Sequence, residues 1–307
     1  MKGMVLAAGL GTRLRPFTDV VPKPLFPILG VPVVGWALRS LAGAGASRIV
    51  MNLHHLPTSI VRALGSGQNF GVDIEYANEP EILGTGGGLS AVRDFFAGER
   101  ALVMHNGDVF TDWDLSDAMQ EHLQSGADAT LLLADPPDMP AARLVEVDPG
   151  GRVVGVRGRP VEGNAPRYVF SGISILSQAI FDFLPVSEPS CLIENGILPM
   201  LGAGRKIRGR VMPGRFCDVG TPQRFVDLNR DLLSEAQTLF RARGLPPLVA
   251  RGASVLIGRD VTIEPSSHVG PNVVLCDGSR VVSGACVHDA VVFPGAVVEG
   301  VRTGIVL

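Results

Sequence analysis

Ile257, Ile263, Val269, Leu275, Val281, Val287 and Phe293 are apolar residues spaced six apart, and no other feature of the chain constrains its fold so tightly. Val255, Val261, Val273, Val291 and Val297 make a partial second row two residues ahead. This is the hexapeptide signal of a parallel β-helix, in which one side chain per hexad fills a narrow core and small or polar residues turn the corners. With three hexads to a turn, the repeat amounts to about two and a half coils. So short a stack has open ends, and capping by the rest of the chain or by a second subunit is expected, hence a homo-oligomer.

The chain ahead of that repeat has a different rhythm. Up to about residue 135, short apolar runs alternate with helical patterns, which predicts a mainly parallel sheet in an α/β unit. The expected strands are Met4 to Ala8, Arg48 to Leu53, Val72 to Tyr76, Ala101 to His105 and Ala129 to Leu133. Pro32 opens a helix that Gly43 and Gly45 end. Leu144 to Val156 reads as a hairpin turning at Asp148 to Gly151, and Tyr168 to Leu176 as a further strand. One long helix is expected from Phe225 to Ala242 before Gly244-Leu-Pro-Pro247 breaks the chain. The domains are therefore drawn at 1–243 and 250–307. Loops after the strands of such a sheet carry function, and Gly9, Glu79 and Asp108 all emerge there.

The loop after the first strand, Leu6-Ala7-Ala8-Gly9-Leu10-Gly11-Thr12-Arg13-Leu14-Arg15-Pro16, exposes backbone N–H groups able to turn toward an anion. Leu14 stands where a dinucleotide fingerprint needs a third small residue, and the Gly-Lys-Ser/Thr ending of a P-loop is missing. Pro22 and Pro24 flank Lys23 and stiffen the backbone that presents its ammonium. Asn106-Gly107-Asp108 follows a strand and places a carboxylate past the sheet edge, suited to a divalent cation on phosphate oxygens or to a turn. Asp112 and Asp114 read as caps.

Leu6 through Thr18, followed by Pro22-Lys23-Pro24, resembles the signature of sugar-1-phosphate nucleotidylyltransferases, the NDP-sugar pyrophosphorylases. The resemblance implies a Rossmann-like, mixed but mainly parallel nucleotidyltransferase domain, here followed by a short left-handed parallel β-helix. It implies that Leu6, Ala7, Ala8, Gly9, Gly11 and Thr12 cover an NTP and that Arg13 and Lys23 bind its phosphates. Asp108 becomes the Mg²⁺ ligand, and Asp218 in Phe216-Cys217-Asp218-Val219-Gly220-Thr221 its partner. Glu79, Gly84 and Thr85, in or ahead of Leu83-Gly84-Thr85-Gly86-Gly87-Gly88, correspond to contacts with base and ribose. On the sugar-phosphate side the family's E-K-P lysine is missing. Arg157-Gly158-Arg159-Pro160 occupies that stretch, so Arg159 is the expected cation, with Asn106, Gly172 and Glu194 beside the sugar.

The implied activity condenses an NTP with a sugar 1-phosphate, with mannose 1-phosphate and GTP slightly favoured over uridylyl transfer to an (amino)sugar 1-phosphate. A non-catalytic NDP-sugar-binding regulator is a rival, weakened by the intact glycine signature and aspartates. Acetyl transfer through His268 or His288 is another, weakened by the shortness of the β-helix. A net charge of −3 argues against nucleic acid as a partner and leaves anions to local cations. No apolar run reaches the roughly 20 residues of a membrane span, and no cleavable signal precedes the first strand, so a cytoplasmic protein is expected. Cys191, Cys217, Cys276 and Cys286 lack C-x-x-C spacing and read as reduced, interior thiols. His54-His55 is a poor metal site, since strand neighbours face opposite sides.

Overall fold

The computed structural model describes residues 1–135, 144–157, 165–186, 188–252 and 254–307. Two compact units result, one of Met1–Leu10 with Ala37–Asp218, the other of Gly11–Trp36 with Val219–Leu307. In chain order the elements begin with β1 (Lys2–Ala7), β2 (Pro27–Ile28), β3 (Val31–Pro32), α1 (Val33–Gly43), β4 (Arg48–Leu53), α2 (Pro57–Leu64), β5 (Asp73–Asn78), α3 (Gly84–Ala91), β6 (Ala101–Asn106) and β7 (Val109–Thr111). They continue with α4 (Ser116–Ser125), β8 (Ala129–Ala134), β9 (Leu144–Val147), β10 (Val153–Val156), β11 (Arg167–Ser177), α5 (Leu198–Gly202), β12 (Ile207–Val211), β13 (Phe216–Asp218), α6 (Pro222–Leu232) and α7 (Ala236–Ala242).

The first unit is built on a nine-stranded sheet with the path β10-β9-β11-β6-β1-β4-β5; β8 joins β11, and β12 joins β8. β1, β4, β5 and β6 run parallel, so their carboxyl ends share one edge. The apolar runs of β1, β4 and β6 fit strands covered on both faces, with Met4, Val5, Ile49, Met51, Leu102 and Val103 all fully buried, whereas β5 is a partly exposed edge strand. β11 is antiparallel to both β6 and β8, which makes the sheet mixed. All five strands expected up to residue 135 are present, β4 with the same limits. The hairpin turn is held by Asp148, whose Oδ1 accepts from the N–H groups of Gly150 and Arg152, both at 2.9 Å.

His122 on α4 is buried, with Nδ1 2.9 Å from Thr130 Oγ1. Burial pushes its pKa down to about 4, against a smaller upward pull from Asp128. An unfolded histidine protonates near pH 6.5, so between there and about 4 the unfolded chain gains a proton that the folded one refuses. Stability should fall over that window, by about 2 kcal/mol after solvent screening, and level off below it. Urea midpoints measured from pH 7 to 4 should show this slope, and His122→Gln should flatten it.

In the second unit, Val255–Ile257, Val273–Leu275 and residues 290–292 of Cys286–Val292 stack in parallel, as do Thr262–Ile263, Arg280–Val281 and Val297–Val298. His268–Val269 pairs with the start of Cys286–Val292, completing a parallel β-helix. Val249–Arg251 crosses one end antiparallel to Val255–Ile257. The stack finishes on Val301–Val306.

The inward rows differ from the six-residue count at one corner. Val269 pairs with Val287 and Val273 with Ala290, so the corner at 270–272 is matched by only His288 and Asp289 in the next coil. With one residue fewer, Val292 takes the place beside Leu275 expected of Phe293, and Ala290 that expected of Val291. Phe293 instead lies 5.2 Å from the Phe26 ring and 5.9 Å from that of Phe225, centroid to centroid. Val297, counted in the second row, is 47% exposed. The long helix expected over 225–242 is α6 and α7, separated by a 3-10 turn at Leu233–Glu235. Of the four free thiols only Cys276 is buried, and burial holds its pKa far above the ordinary thiol value; the other three are partly exposed, so the interior placement holds for one.

Candidate active site

The carboxyl edge of the parallel strands gathers the first group of residues. Leu6 faces both Asn52 and Asn106 in register, and its carbonyl accepts the Gly107 N–H at 2.8 Å. Ala7 donates its N–H to Asn52 Oδ1 at 2.9 Å. Asn52 Nδ2 donates in turn to Glu79 Oε1 at 2.7 Å, while Glu79 Oε2 accepts the Leu83 N–H at 3.0 Å. Glu79, 6% exposed, thus ties the start of the first glycine loop to the start of α3 through Asn52. Ala8 is buried at the end of this run, and a Cβ on Gly9 would meet nothing within 4 Å. The bareness of Gly9 answers no packing demand of the described residues.

Asn52 was not singled out as a site residue, although its signal was visible: a lone polar side chain near the end of the apolar run Arg48-Ile-Val-Met-Asn-Leu53. Replacing it by leucine leaves buried Glu79 and the Ala7 N–H without their partner, at a cost of roughly 1–3 kcal/mol. Asn52→Leu should therefore lower the thermal midpoint, read by calorimetry, and weaken the NTP binding that the resemblance implies, read by a nucleotide titration.

α3 opens on glycines that serve packing. Gly86 and Gly87 N–H groups point to the Ser190 carbonyl, at 2.9 and 3.3 Å, and a Cβ on Gly84 (φ +72°) would stand 2.6 Å from that same oxygen. Thr85 Oγ1 accepts the Leu192 N–H at 2.9 Å. A Cβ on Gly88 would stand 2.8 Å from both Asn52 Nδ2 and Glu79 Oε1. Close backbone approach of residues 188–191 thus explains this cluster, with Gly84 and Thr85 at its outer end.

Asp108 leaves β6 and leads into β7. β7 pairs antiparallel with β13, with Asp218 opposite Val109, the residue that follows Asp108, so two aspartates distant in sequence stand one register position apart along the backbone. Asp218 is 5% exposed. Among the described residues no group of three or more His, Cys, Asp or Glu could hold a metal alone. Two hard oxygen donors suit Mg²⁺, which usually takes one or two carboxylates and fills its octahedron with phosphate and water. Asp114 Oδ1 accepts the Ser116 N–H at 2.9 Å in a turn ahead of α4, whereas Asp112, expected as a cap, has Oδ1 accepting the N–H of distant Arg215 at 2.7 Å. His54 Nδ1 lies 2.8 Å from the Glu79 carbonyl.

Of the residues expected beside the sugar phosphate, Asn106 packs its amide over Gly172, whose φ of +85° lies beside a register shift in β11. Glu194 sits in a π-helical turn, Leu192–Ile197, and pairs with Arg157 at 2.8 Å. Arg157 holds a left-handed φ of +56° and was not itself expected at the site. Arg159 lies outside the described residues.

The second unit holds the signature cations. Gly11 (φ +64°) backs onto Thr18 and the Lys23 stem: a Cβ there would stand 2.9 Å from Thr18 Cγ2 and 3.3 Å from Lys23 Cβ. Thr18 is fully buried and donates to the Gly11 carbonyl at 3.1 Å. Thr12 and Arg13 share a 3-10 turn, and the Arg13 guanidinium lies on Gly220, where a Cβ would stand 2.9 Å from Nη1 and 3.3 Å from Cζ. Lys23 is 7% exposed at the start of the 3-10 turn Lys23–Leu25, with Pro22 before it and Pro24 after it.

The sequence profile of the nucleotidyl transferase family matches residues 2–235. A mannose-1-phosphate guanylyltransferase of Mycobacterium tuberculosis is 31% identical over 301 residues, covering 96% of this chain and 80% of that one. An N-acetylmuramate alpha-1-phosphate uridylyltransferase of Neisseria meningitidis serogroup B is 36% identical over 249 residues, covering 79% and 99%. A solved Bacillus anthracis structure, assigned as a glucose-1-phosphate thymidylyltransferase and crystallised with sucrose, superposes with a TM-score of 0.63 at 26% identity, covering 75% of this chain and 94% of the other. Among the described residues no helix is long and apolar enough to cross a membrane.

Proposed function

The chain belongs to the nucleotidyl transferase family, and from that premise we propose that it condenses an NTP with a sugar 1-phosphate to give an NDP-sugar and pyrophosphate. The pairing of β7 with β13, which sets Asp218 beside the Asp108 segment, is the observation that carries this reading. A sugar-1-phosphate oxygen attacks the α-phosphorus in line with departing pyrophosphate, and no protein nucleophile is required. Catalysis is positioning and neutralisation of charge.

Asp108 and Asp218 hold Mg²⁺, which when bound supplies neutralisation at phosphate oxygens. Arg13 and the amides of Leu6 to Thr12 bind the pyrophosphate part of the NTP, and Lys23 neutralises the α-phosphate or the incoming phosphate. Glu79, Gly84 and Thr85 address base and ribose. Asn106, Arg159, Gly172 and Glu194 address the sugar phosphate. Residues 1–243 carry this chemistry, in the cytoplasm, and residues 250–307 form the β-helix. Among the described residues Val301–Val306 pairs with Cys286–Val292 alone and leaves Val301 exposed, an unpaired edge that supports a homo-oligomer.

GTP and mannose 1-phosphate are the favoured substrates, because the guanylyltransferase match spans 96% of this chain at 31% identity, against 29% for uridylyl- and thymidylyltransferases that span as much. Uridylyl transfer to an amino-sugar 1-phosphate is the second reading, resting on the higher identity over 249 residues. Pyrophosphate release from each common NTP against mannose, glucose and amino-sugar 1-phosphates tests both, with light scattering of the same preparation reading its mass. The highest kcat/KM is expected for GTP with mannose 1-phosphate. A clear preference for UTP with an amino sugar overturns the first reading, and silence with every pair leaves a binding protein without transferase activity.

A further inference from the structure

Lys23 lies just ahead of a buried turn that draws on partners outside its own segment. After the 3-10 turn Lys23–Leu25, β2 and β3 fold back on each other over two residues apiece. Pro27 has no N–H to contribute, and Leu29 is fully buried at a left-handed φ of +51°, a strained setting for a branched side chain. A buried turn of this kind needs outside partners for its backbone.

Asn229 supplies them. It lies in the third turn of α6, is 1% exposed, and uses its whole amide on backbone. Oδ1 accepts the Leu29 N–H at 2.7 Å, while Nδ2 donates to the Pro27 carbonyl at 3.2 Å and to the Phe225 carbonyl at 3.0 Å. Donor and acceptor must sit on one short fork, which among the standard side chains of this length only asparagine offers. One turn earlier on α6, Phe225 meets Phe26 edge-on at 5.2 Å. Ahead of the helix, Gly220 leaves room for the Arg13 guanidinium. A single helix therefore braces the segments that carry both signature cations.

We propose that Asn229 is a positioning residue for Lys23: by clamping Pro27 and Leu29 it fixes where the ammonium stands, without itself touching substrate. The proposal rests on the reading of Lys23 as a phosphate-binding cation. It is tested in the full chain by a double-mutant cycle of Asn229→Leu with Lys23→Ala, measured as kcat/KM for pyrophosphate release at high enzyme concentration, with thermal melts for each variant. Asn229→Ser, a smaller change, takes the place of leucine if the latter does not melt cooperatively.

Asn229→Leu is expected to lower kcat/KM about 10- to 100-fold in a chain that still melts cooperatively, and to cost less than threefold more once Lys23 is already alanine. Losses that simply multiply overturn the proposal, because a general loss of structure would not depend on the lysine. Unchanged kcat/KM for the Asn229 variant overturns it as well. A Lys23→Ala enzyme of near-parental activity defeats instead the phosphate-binding reading on which the proposal stands.

Discussion

Lys23→Ala should reduce pyrophosphate-forming turnover by about 10³-fold or more, the scale on which a single well-placed cation acts in phosphoryl-type transfer. Its side chain is nearly dehydrated, at 7% exposure, and the ammonium is presented from a turn between two prolines. A charge so held needs no reorganisation as negative charge shifts toward the leaving group, which is where electrostatic preorganisation gains its strength. The backbone bonds of the turn, Leu25 N–H to Pro22 O at 2.8 Å and Phe26 N–H to Lys23 O at 3.0 Å, survive the truncation. Far-UV circular dichroism should thus stay that of the parent. Turnover within a few-fold of the parent would refute the role.

Asp108→Asn should cost about 10²- to 10³-fold in turnover, and the same change at Asp218 a similar amount. The amide keeps the size of the carboxylate and removes its charge, and a neutral oxygen is a much poorer ligand for a hard divalent cation. The fold should tolerate the change at Asp108, because that loop is anchored by the Gly107 N–H on the Leu6 carbonyl and by the ladder of β7 with β13. The Mg²⁺ concentration giving half-maximal activity should rise in both variants. If only one of them shifts it, the two carboxylates do not share an ion.

The legible part of this protein is its local part. An apolar run of four to six residues bounded by glycines or polar residues is a strand wherever it packs, which is why β4 and β8 lie where the runs do. The motif residues Gly9, Gly11, Arg13, Lys23 and Asp108 were visible for the same reason: each depends on near neighbours. Asn52 was passed over because its bonds to Ala7 and Glu79 span 45 and 27 residues. The six-residue period slipped at His288 and Asp289 because Val292 and Phe293 are both apolar, so counting alone could not tell which one faces inward. α6 and α7 read as one helix because the 3-10 turn between them holds good helix formers, Leu233 and Glu235.

By itself the sequence determined the class of each half, a βαβ-patterned sheet and a hexapeptide coil, together with the signature that names the chemistry. Tertiary structure alone decided that Gly11–Trp36 belongs to one compact unit with α6 and the β-helix, through Phe26 against Phe225 and Phe293 and through Asn229 on Pro27 and Leu29. The physical reason is that these partners lie about 200 residues or more apart. Closing so long a loop costs only slightly more entropy than closing a short one, so ring contacts and amide bonds choose the pairing, and those leave no periodic trace in the chain.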